Sequence, residues 1–232
     1  MKWLLFKTYI QIHRALHALG VLPFSRKFGL ERGSPVGRYY VERFLRKNAE
    51  FVTGPCLEFG DARYRALFPG AGEYHVIDVV RRPAVDFVAD IHDPVGVPRD
   101  YFKSIICTQV LEHLAHPEKA AAAIFDLLAP GGVLLLTVPF INPVHYDPAD
   151  FRRYTPEGVT LLLLDAGFDV EQVDFGGNSL VGTGSLLGMV QEDFSTSELE
   201  LKDPVYPYNV LARARKPASA PPHGSAAKLS GD

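Results

Sequence analysis

The alternation of short apolar runs with helix patterns between residues 51 and 216 constrains the fold more than any other feature of this sequence. Apolar and β-branched runs predict strands at 55–59, 74–79, 86–89, 104–108, 133–138, 168–175 and 208–214. The first, fourth and fifth runs are almost continuously apolar, which is typical of parallel strands covered on both faces. The pattern therefore predicts an α/β fold with a doubly wound, mostly parallel seven-stranded sheet.

Helix patterns at 117–128 and 155–166 separate the later strands. The run Pro130-Gly131-Gly132 is expected to stop the first helix, because proline and glycine end helices. Thr155 can cap the second helix and Pro156 suits its first position.

Three segments are predicted along the chain. Residues 1–50 form an N-terminal helical extension, residues 51–216 form the sheet domain, and residues 217–232 form a disordered tail. The tail prediction rests on Pro, Ala, Ser and Gly at 12 of 16 positions, which leaves almost nothing to bury. The glycine-rich stretch at 176–188 is expected to be a mobile loop over the functional site.

Composition excludes several classes of protein. A formal net charge of −3 argues against a general nucleic-acid binder. Two cysteines, Cys56 and Cys107, lie in apolar runs and are expected to be buried thiols in a reducing compartment. No apolar run approaches the roughly 20 residues of a membrane span, and no signal-peptide pattern is present, so a cytoplasmic location is predicted.

The N-terminal helix pattern mixes aromatic and aliphatic residues with basic ones, including Lys2, Lys7 and Arg14. Such a helix can lie on a membrane surface. Packing on the sheet or covering the active site is the favoured alternative.

Polar residues follow the ends of the first four predicted strands. Glu58, Gly60 and Asp61 close the first strand, Asp78 closes the second 18 residues after Gly60, Asp90 with Ile91 closes the third, and Gln109 follows the fourth. Ligands of such sheets bind beyond the carboxyl ends of the strands. Asp78 suits a ribose diol, and Asp90 beside apolar Ile91 suits an adenine amino group and ring. The sequence therefore predicts an adenosine site at this edge.

The stretch from Cys56 to Gly167 resembles a class I S-adenosylmethionine-dependent methyltransferase of the small-molecule, type 11-like kind. The motifs that carry the resemblance occur in the family's order, at 57–60, 75–78, 105–114 and 128–134. Residues 38–45 and 208–214 further resemble a branch of methyltransferases associated with glycan pathways.

The resemblance implies a Rossmann-like sheet with S-adenosylmethionine as cofactor. The implied cofactor-binding residues are Glu58, Gly60, Asp61, Asp78, Asp90, Ile91 and Gln109. The chain departs from the family after Gly60, where Asp61-Ala62-Arg63-Tyr64 replaces the usual second and third glycines. Those glycines normally allow the backbone to approach the cofactor closely.

The stretch after the fifth strand contains the candidate acceptor residues. His145 is predicted as a general base because its pKa lies near working pH, with a structural loop histidine as the alternative. His113 is a second catalytic candidate, with a helix-start contact as the alternative.

Tyr146, Arg152 and Arg153 are predicted to bind substrate. The arginines suit a phosphate or carboxylate, and bracing Asp147 or Asp150 is their alternative role. No metal site is predicted, because the pair His113 and His116 has no evident third ligand.

Three functions are compared. The favoured one is methyl transfer from S-adenosylmethionine to a small-molecule or glycan acceptor, at oxygen. A non-catalytic methyltransferase-like binding or scaffold protein in glycan assembly is the alternative, motivated by the glycine-poor first motif. A nicotinamide-dependent oxidoreductase is disfavoured because Gly-x-Gly-x-x-Gly does not follow the first strand.

Overall fold

A seven-stranded sheet with strand order β3-β2-β1-β4-β5-β7-β6 organises the fold. The structure, a computed structural model, describes residues 2–145 and 147–219. The strands are β1 Cys56–Phe59, β2 Tyr74–Asp78, β3 Phe87–Val88, β4 Phe102–Thr108, β5 Leu128–Pro139, β6 Asp169–Gly176 and β7 Asn209–Arg215. The helices are α1 Lys2–Ala18, α2 Val36–Lys47, α3 Pro117–Leu127, α4 Pro156–Asp165, α5 Ser179–Leu186 and α6 Thr196–Glu200.

The first five strands are parallel. β1 pairs with β2 and with β4, β2 pairs with β3, and β4 pairs with β5, all in the same direction. Their carboxyl ends therefore lie along one edge of the sheet. The strand order reverses between β1 and β4, which makes this point the topological switch at which such sheets bind ligands.

A β-bulge joins β5 to the antiparallel strand β7. The Gly131 N–H donates to the Lys216 carbonyl at 2.9 Å, and the Lys216 N–H donates to the Gly132 carbonyl at 2.9 Å. Gly131 has a φ of +80°, the left-handed conformation that this type of bulge requires. The seven predicted strands are thus present, with parallel strands β1–β5 in a sheet of mixed orientation.

Alternation along the central strands creates two hydrophobic cores, one on each face of the sheet. In β4, Ile105 and Cys107 face one core and Ile106 faces the other. Helices α3 and α4 contribute to the first core through Ile124 and Leu163, among others. The second half of α2 contributes to the other core through Val41, Phe44 and Leu45. The sheet is therefore covered on both faces, as the doubly wound prediction requires.

The region before β4 differs from a regular strand–helix alternation. The connection between β1 and β2 contains two single-turn 3-10 helices, Arg65–Leu67 and Pro69–Ala71, in place of an α-helix.

Helix α3 ends at Leu127 and β5 begins directly at Leu128, five residues before the predicted start of that strand. The reason is that Gly131 forms the bulge within β5 and does not terminate the helix.

Contacts between Cα atoms divide the chain into two units, each with its own core. The larger unit comprises residues 41–140, 145–175 and 210 onward, and the smaller comprises residues up to Tyr40, 141–144 and 176–209. The predicted boundaries at residues 50 and 216 stay predictions. Most of the predicted tail, residues 220–232, lies outside the described residues.

The prediction of a mobile loop at 176–188 is wrong, because most of this stretch is helix α5. Buried Asn178 caps the helix by accepting a hydrogen bond from the Val181 N–H at 3.1 Å. Its amide donates to the carbonyls of Glu198 and Leu201, both at 2.8 Å. Gly184 allows close contact with the Phe194 ring, so small residues here serve packing.

None of the residues of helix α1 is buried, and packing of this helix on the sheet or over the active site stays a prediction. Within residues 2–145 and 147–219, no helix combines the length and the apolar character that crossing a membrane needs.

We expect Lys216→Ala to lower the free energy of unfolding by about 3 kcal/mol, because hydrogen bonds from a buried charge are worth more than neutral ones. The buried Lys216 Nζ donates to Asp100 at 2.6 Å and to the carbonyls of Phe125 and Leu128 at 2.9 and 2.8 Å. Urea unfolding of this variant beside Lys47→Ala, which removes an exposed lysine of α2, measures the difference. Equal stability of the two variants would contradict the expectation.

Candidate functional site

A cleft of about 680 Å³ opens at the carboxyl ends of β1 to β4. This volume is typical of sites that take a cofactor or small molecule. The lining residues that the sequence singled out are Glu58, Gly60, Asp61, Asp78, Asp90, Ile91, Gln109, His113 and His145. Because four adjacent parallel strands end here, the cleft extends about 14 Å across the sheet edge.

The loop after β1 is held by a buried carboxyl group. Glu58 accepts hydrogen bonds from the Tyr64 N–H at 3.1 Å and from the Tyr74 hydroxyl. Burial raises the pKa of Glu58, against the effect of these hydrogen bonds. Glu58 therefore ties Tyr64, at the far end of this loop, to the sheet. Its carboxyl oxygens are bound by groups of the protein itself.

The backbone of this loop forms a tight turn although the second and third glycines of the family motif are replaced. Gly60 has a φ of +106° and Ala62 a φ of +58°. A left-handed alanine costs roughly 1 kcal/mol, which the contacts of Glu58 offset. A Cβ at Gly60 would meet nothing within 4 Å, so open space lies beside this residue. Asp61 pairs with Arg63 at 3.0 Å on the rim.

Asp78 is the last residue of β2, and its carboxylate faces the cleft. One oxygen accepts a hydrogen bond from the Val80 N–H at 2.9 Å, and the other lies 3.1 Å from an Arg82 guanidinium nitrogen. Only 12% of the Asp78 side chain is exposed, so the carboxylate is held in a defined position. Carboxylate oxygens accept more than one hydrogen bond, and a ribose diol can add to those present.

The segment after β3 presents an acid and a histidine to the same cleft. The Asp90 carboxylate accepts hydrogen bonds from the His92 N–H at 2.9 Å and from His92 Nδ1 at 2.6 Å. The backbone hydrogen bond from His92 lowers the pKa of Asp90. Ile91 between them is buried. His92 Nε2 is buried with no hydrogen-bond partner among the described residues.

Sequence reasoning missed His92. The available signal was its spacing of two residues from Asp90, which allows a carboxylate to accept from both the backbone and the ring. Arg82 was missed as well, because its contact with Asp78 depends on the turn that follows β2.

Gln109 closes β4 in a left-handed conformation, with a φ of +54°. Its N–H donates to the Thr137 carbonyl at 2.8 Å, and its side-chain amide donates to the Thr137 hydroxyl at 3.1 Å. Both bonds tie the end of β4 to β5 and direct the following residues along the cleft.

Two histidines from separate segments meet at the β4 side of the cleft. The ring centroids of His113 and His145 are 4.9 Å apart. His113 Nδ1 lies 3.0 Å from the Ala149 carbonyl, which can only accept, so this nitrogen carries the proton. Burial and the neighbouring His113 lower the pKa of His145. A neutral imidazole at physiological pH can accept a proton.

The segment that carries His145 is braced by Asp150. This carboxylate accepts from the His145 N–H at 2.9 Å and from both terminal nitrogens of Arg153, at 2.6 and 2.8 Å. The Arg153 hydrogen bond lowers the pKa of Asp150. Arg152 donates to the carbonyls of Leu114 and Ala115 at 2.7 and 3.0 Å.

Neither of these arginines lines the cleft. Arg153 has the bracing role that the sequence offered as the alternative to substrate binding. Tyr146, also predicted to bind substrate, lies outside the described residues.

A second buried carboxyl group lies behind the histidines. Burial raises the pKa of Glu112 to about 8, with a smaller contribution from the charge of Asp150. Glu112 Oε2 has no hydrogen-bond partner among the described residues, and Oε1 lies 3.9 Å from His113 Nε2. Glu112 is therefore largely protonated at neutral pH.

No cluster of three or more His, Cys, Asp or Glu side chains suited to a metal ion occurs in the described part of the chain. The donor set of the cleft fits a nucleoside cofactor better. Asp78 and Asp90 provide acceptors at two neighbouring strand ends, Ile91 provides an apolar wall, and buried His92 Nε2 needs a partner. The open space at Gly60 leaves room for the remainder of such a molecule.

Comparison with known proteins identifies one family. The model of a methyltransferase domain family matches residues 40–173. A ubiquinone biosynthesis O-methyltransferase of Psychrobacter arcticus is 27% identical over 149 residues, covering 57% of this chain and 55% of that protein. The chain thus spans about half the length of this curated relative.

Solved structures share the fold. An S-adenosylmethionine-dependent methyltransferase from Archaeoglobus fulgidus has a TM-score of 0.56 at 17% identity, covering 83% of this chain and 98% of that chain. The 1,6-didemethyltoxoflavin-N1-methyltransferase of Burkholderia thailandensis, solved with 1,6-didemethyltoxoflavin and S-adenosylhomocysteine, has a TM-score of 0.55 at 15% identity. That match covers 91% of this chain and 90% of that chain.

Glu112→Gln should stabilise the chain increasingly as the pH rises from about 4.5 to 8. Across this interval the unfolded chain has released the Glu112 proton while the folded chain retains it, so unfolding becomes easier with rising pH. The variant lacks this dependence. The difference in unfolding free energy between variant and wild type should grow by at most about 1.4 kcal/mol per pH unit.

Urea unfolding at pH 5, 6, 7 and 8 measures this difference. Glu118→Gln, which alters an exposed glutamate on α3, is the matched control. A difference between Glu112→Gln and wild type that stays constant across the interval would show that Glu112 is ionised in the folded chain.

Proposed function

This chain belongs to the methyltransferase domain family, and from that premise we propose that it methylates an oxygen atom of a small-molecule acceptor. It is an S-adenosylmethionine-dependent enzyme, as the ordered motifs at 57–60, 75–78, 105–114 and 128–134 implied. The observation that carries the proposal is that one cleft contains both the two strand-end carboxylates and the His113–His145 pair.

The carboxylates define the cofactor half of the cleft in this proposal. Asp78 would accept from the ribose hydroxyls and Asp90 from the adenine amino group, with Ile91 against the ring. Arg82 and Val80 fix the Asp78 carboxylate before the cofactor arrives, which lowers the entropic cost of binding. Glu58 acts indirectly, because it holds the loop that begins at Gly60.

The reaction requires little covalent chemistry from the protein. S-adenosylmethionine supplies a methyl group already activated by the positive sulfur. The chain must align the acceptor oxygen, exclude water and remove the proton of the hydroxyl. His145 is the proposed general base, since its lowered pKa leaves it neutral at physiological pH.

His113 supports His145 in this proposal. Its Nδ1 proton is directed to the Ala149 carbonyl, so Nε2 is the acceptor nitrogen on the side of Glu112. Protonated Glu112 adds no negative charge beside His113.

The acceptor class rests on different support. The O-methyltransferase name of the Psychrobacter relative favours oxygen, and the bound small molecule in the Burkholderia structure favours a small acceptor. A glycan acceptor stays a prediction from the resemblance of residues 38–45 and 208–214. Arg152 and Arg153 do not line the cleft, whereas Arg63 and Asp147 do, and these two are the proposed charged contacts for the acceptor. The cytoplasmic location and the absence of a nucleic-acid partner stay predictions from composition.

Asp78→Ala should weaken binding of S-adenosylhomocysteine by about 10- to 100-fold, because two hydrogen bonds to a charged acceptor are lost. Calorimetric titration measures the affinity, and thermal unfolding checks that the variant folds. Asp165→Ala, at an exposed position at the end of α4, is the control and should bind as wild type does. Unchanged affinity in a folded Asp78→Ala chain would refute the ribose assignment.

His145→Ala should lower kcat by about 10²- to 10⁴-fold, the usual contribution of a general base, with cofactor affinity within a factor of three. In the wild type, kcat should stay constant through neutral pH and fall only below the ordinary titration range of histidine, because the pKa of His145 is lowered and a protonated imidazole cannot accept a proton. His116→Ala, at an exposed histidine, is the control. Parallel losses of kcat and cofactor affinity would instead indicate that His145 only supports the loop.

A further inference from the structure

Helix α1 presents an unusually apolar surface to solvent. Its residues Trp3, Leu5 and Ile12 are 73%, 63% and 54% exposed, and Leu4, Phe6 and Tyr9 are exposed as well. None of the residues of α1 is buried. Contiguous apolar surface of this kind usually marks a binding face.

Most of the apolar residues of α1 lie along one side of the helix, and Trp3, Phe6 and Ile10 lie outside that arc. Leu4, Leu5, Thr8, Tyr9, Ile12, Ala15 and Leu16 recur at the three- and four-residue spacing of one helical face, and Leu19 continues the series beyond the last turn. Lys7, Gln11 and Arg14 occupy the opposite side by the same spacing. A helix with this division is built to lie with one side in an apolar medium and the other in water.

The charge of α1 indicates which apolar medium the helix contacts. Helix α1 contains Lys2, Lys7 and Arg14 and no acidic residue. Residues 1–40 contain seven Lys and Arg residues and a single Glu, a local formal charge of +6 in a chain whose total is −3. A surface that attracts this segment therefore has negatively charged groups at its boundary with water and an apolar layer behind them.

Tyr9 agrees with this assignment. It lies at the edge of the apolar arc and combines an apolar ring with a polar O–H, and such residues favour the boundary between lipid headgroups and acyl chains. Helix α1 has 17 residues, about 25 Å, and cannot cross a bilayer but can lie along its surface.

We propose that α1 is a membrane-surface helix that docks this chain on anionic phospholipid bilayers. The arc Leu4–Leu5–Tyr9–Ile12–Leu16 enters the headgroup boundary, and Lys7 and Arg14 on the opposite side contact lipid phosphates. The proposal is independent of the methyl-transfer chemistry.

The whole chain is titrated with vesicles of phosphatidylcholine alone and of phosphatidylcholine with about one third phosphatidylglycerol, and the bound fraction is measured by cosedimentation. We expect the chain to cosediment with the anionic vesicles, and salt to weaken this binding because the attraction is partly electrostatic.

Two variants separate the contribution of basic charge to vesicle binding from that of the apolar side chains. Lys7→Glu/Arg14→Glu should weaken partitioning to anionic vesicles at least twentyfold, since each basic residue near such a surface contributes about fivefold. Leu5→Glu/Ile12→Glu should weaken it more than tenfold. Leu201→Glu, which alters an exposed leucine outside α1, is the matched control and should bind as wild type does.

Several outcomes would overturn the proposal. Absence of binding to anionic vesicles, or equal binding to both vesicle types, would exclude an anionic membrane as the occupant. A concentration-dependent dimer in light scattering that Leu5→Glu/Ile12→Glu dissociates, together with no vesicle binding, would assign the face to a second copy of the chain. Calorimetric titration with S-adenosylhomocysteine should give the same affinity for all variants, which keeps this test separate from that of the catalytic function.

Discussion

The parallel pairing of β1 with both β2 and β4 is the constraint on which the rest of the structure depends. Phe59 is in register with Ile77, and Glu58 with Ile106, so the three strands end within a few residues of one another. The groups of the cofactor half of the cleft follow one of these ends or the end of β3, and His145 comes from the segment after β5. Because the chain leaves β1 toward β2 and returns to β4 on the other side, the loops diverge and leave a crevice between them.

Two buried carboxyl groups lie beside this crevice, one within β1 and one after β4. Glu58 satisfies its oxygens with a backbone N–H and a tyrosine hydroxyl, and thereby shapes the loop in which Ala62 replaces a glycine. Glu112 lacks such partners on Oε2 and remains protonated, which avoids the cost of a buried unpaired charge. Glu58 thus holds a loop in position through hydrogen bonds, whereas Glu112 is a neutral neighbour of the histidines.

Much of the cleft could be predicted from the sequence because its residues are adjacent to strand ends. Asp78, Asp90 and Gln109 immediately follow or close apolar runs, and parallel topology brings such positions together whatever the details of packing. Arg152 and Arg153 were predicted from type alone, and their partners, the carbonyls of Leu114 and Ala115 and the Asp150 carboxylate, follow from how two loops meet. His92 was missed for the same reason, since its burial depends on the path of the chain after β3.

The sequence by itself determined the seven strands, the edge at which they present acidic residues and the cofactor class, because apolar periodicity and strand-end motifs are local properties. Only the tertiary structure decided the conformations that glycines and histidines adopt. Gly131 forms a bulge within β5 where a helix stop was expected, and the stretch 176–188 folds as a helix whose small residues admit a close neighbour. His113 and His145 become a pair because packing brings two distant segments within contact. These outcomes depend on which surfaces meet, and local propensity contains no information about a partner that is far away in the chain.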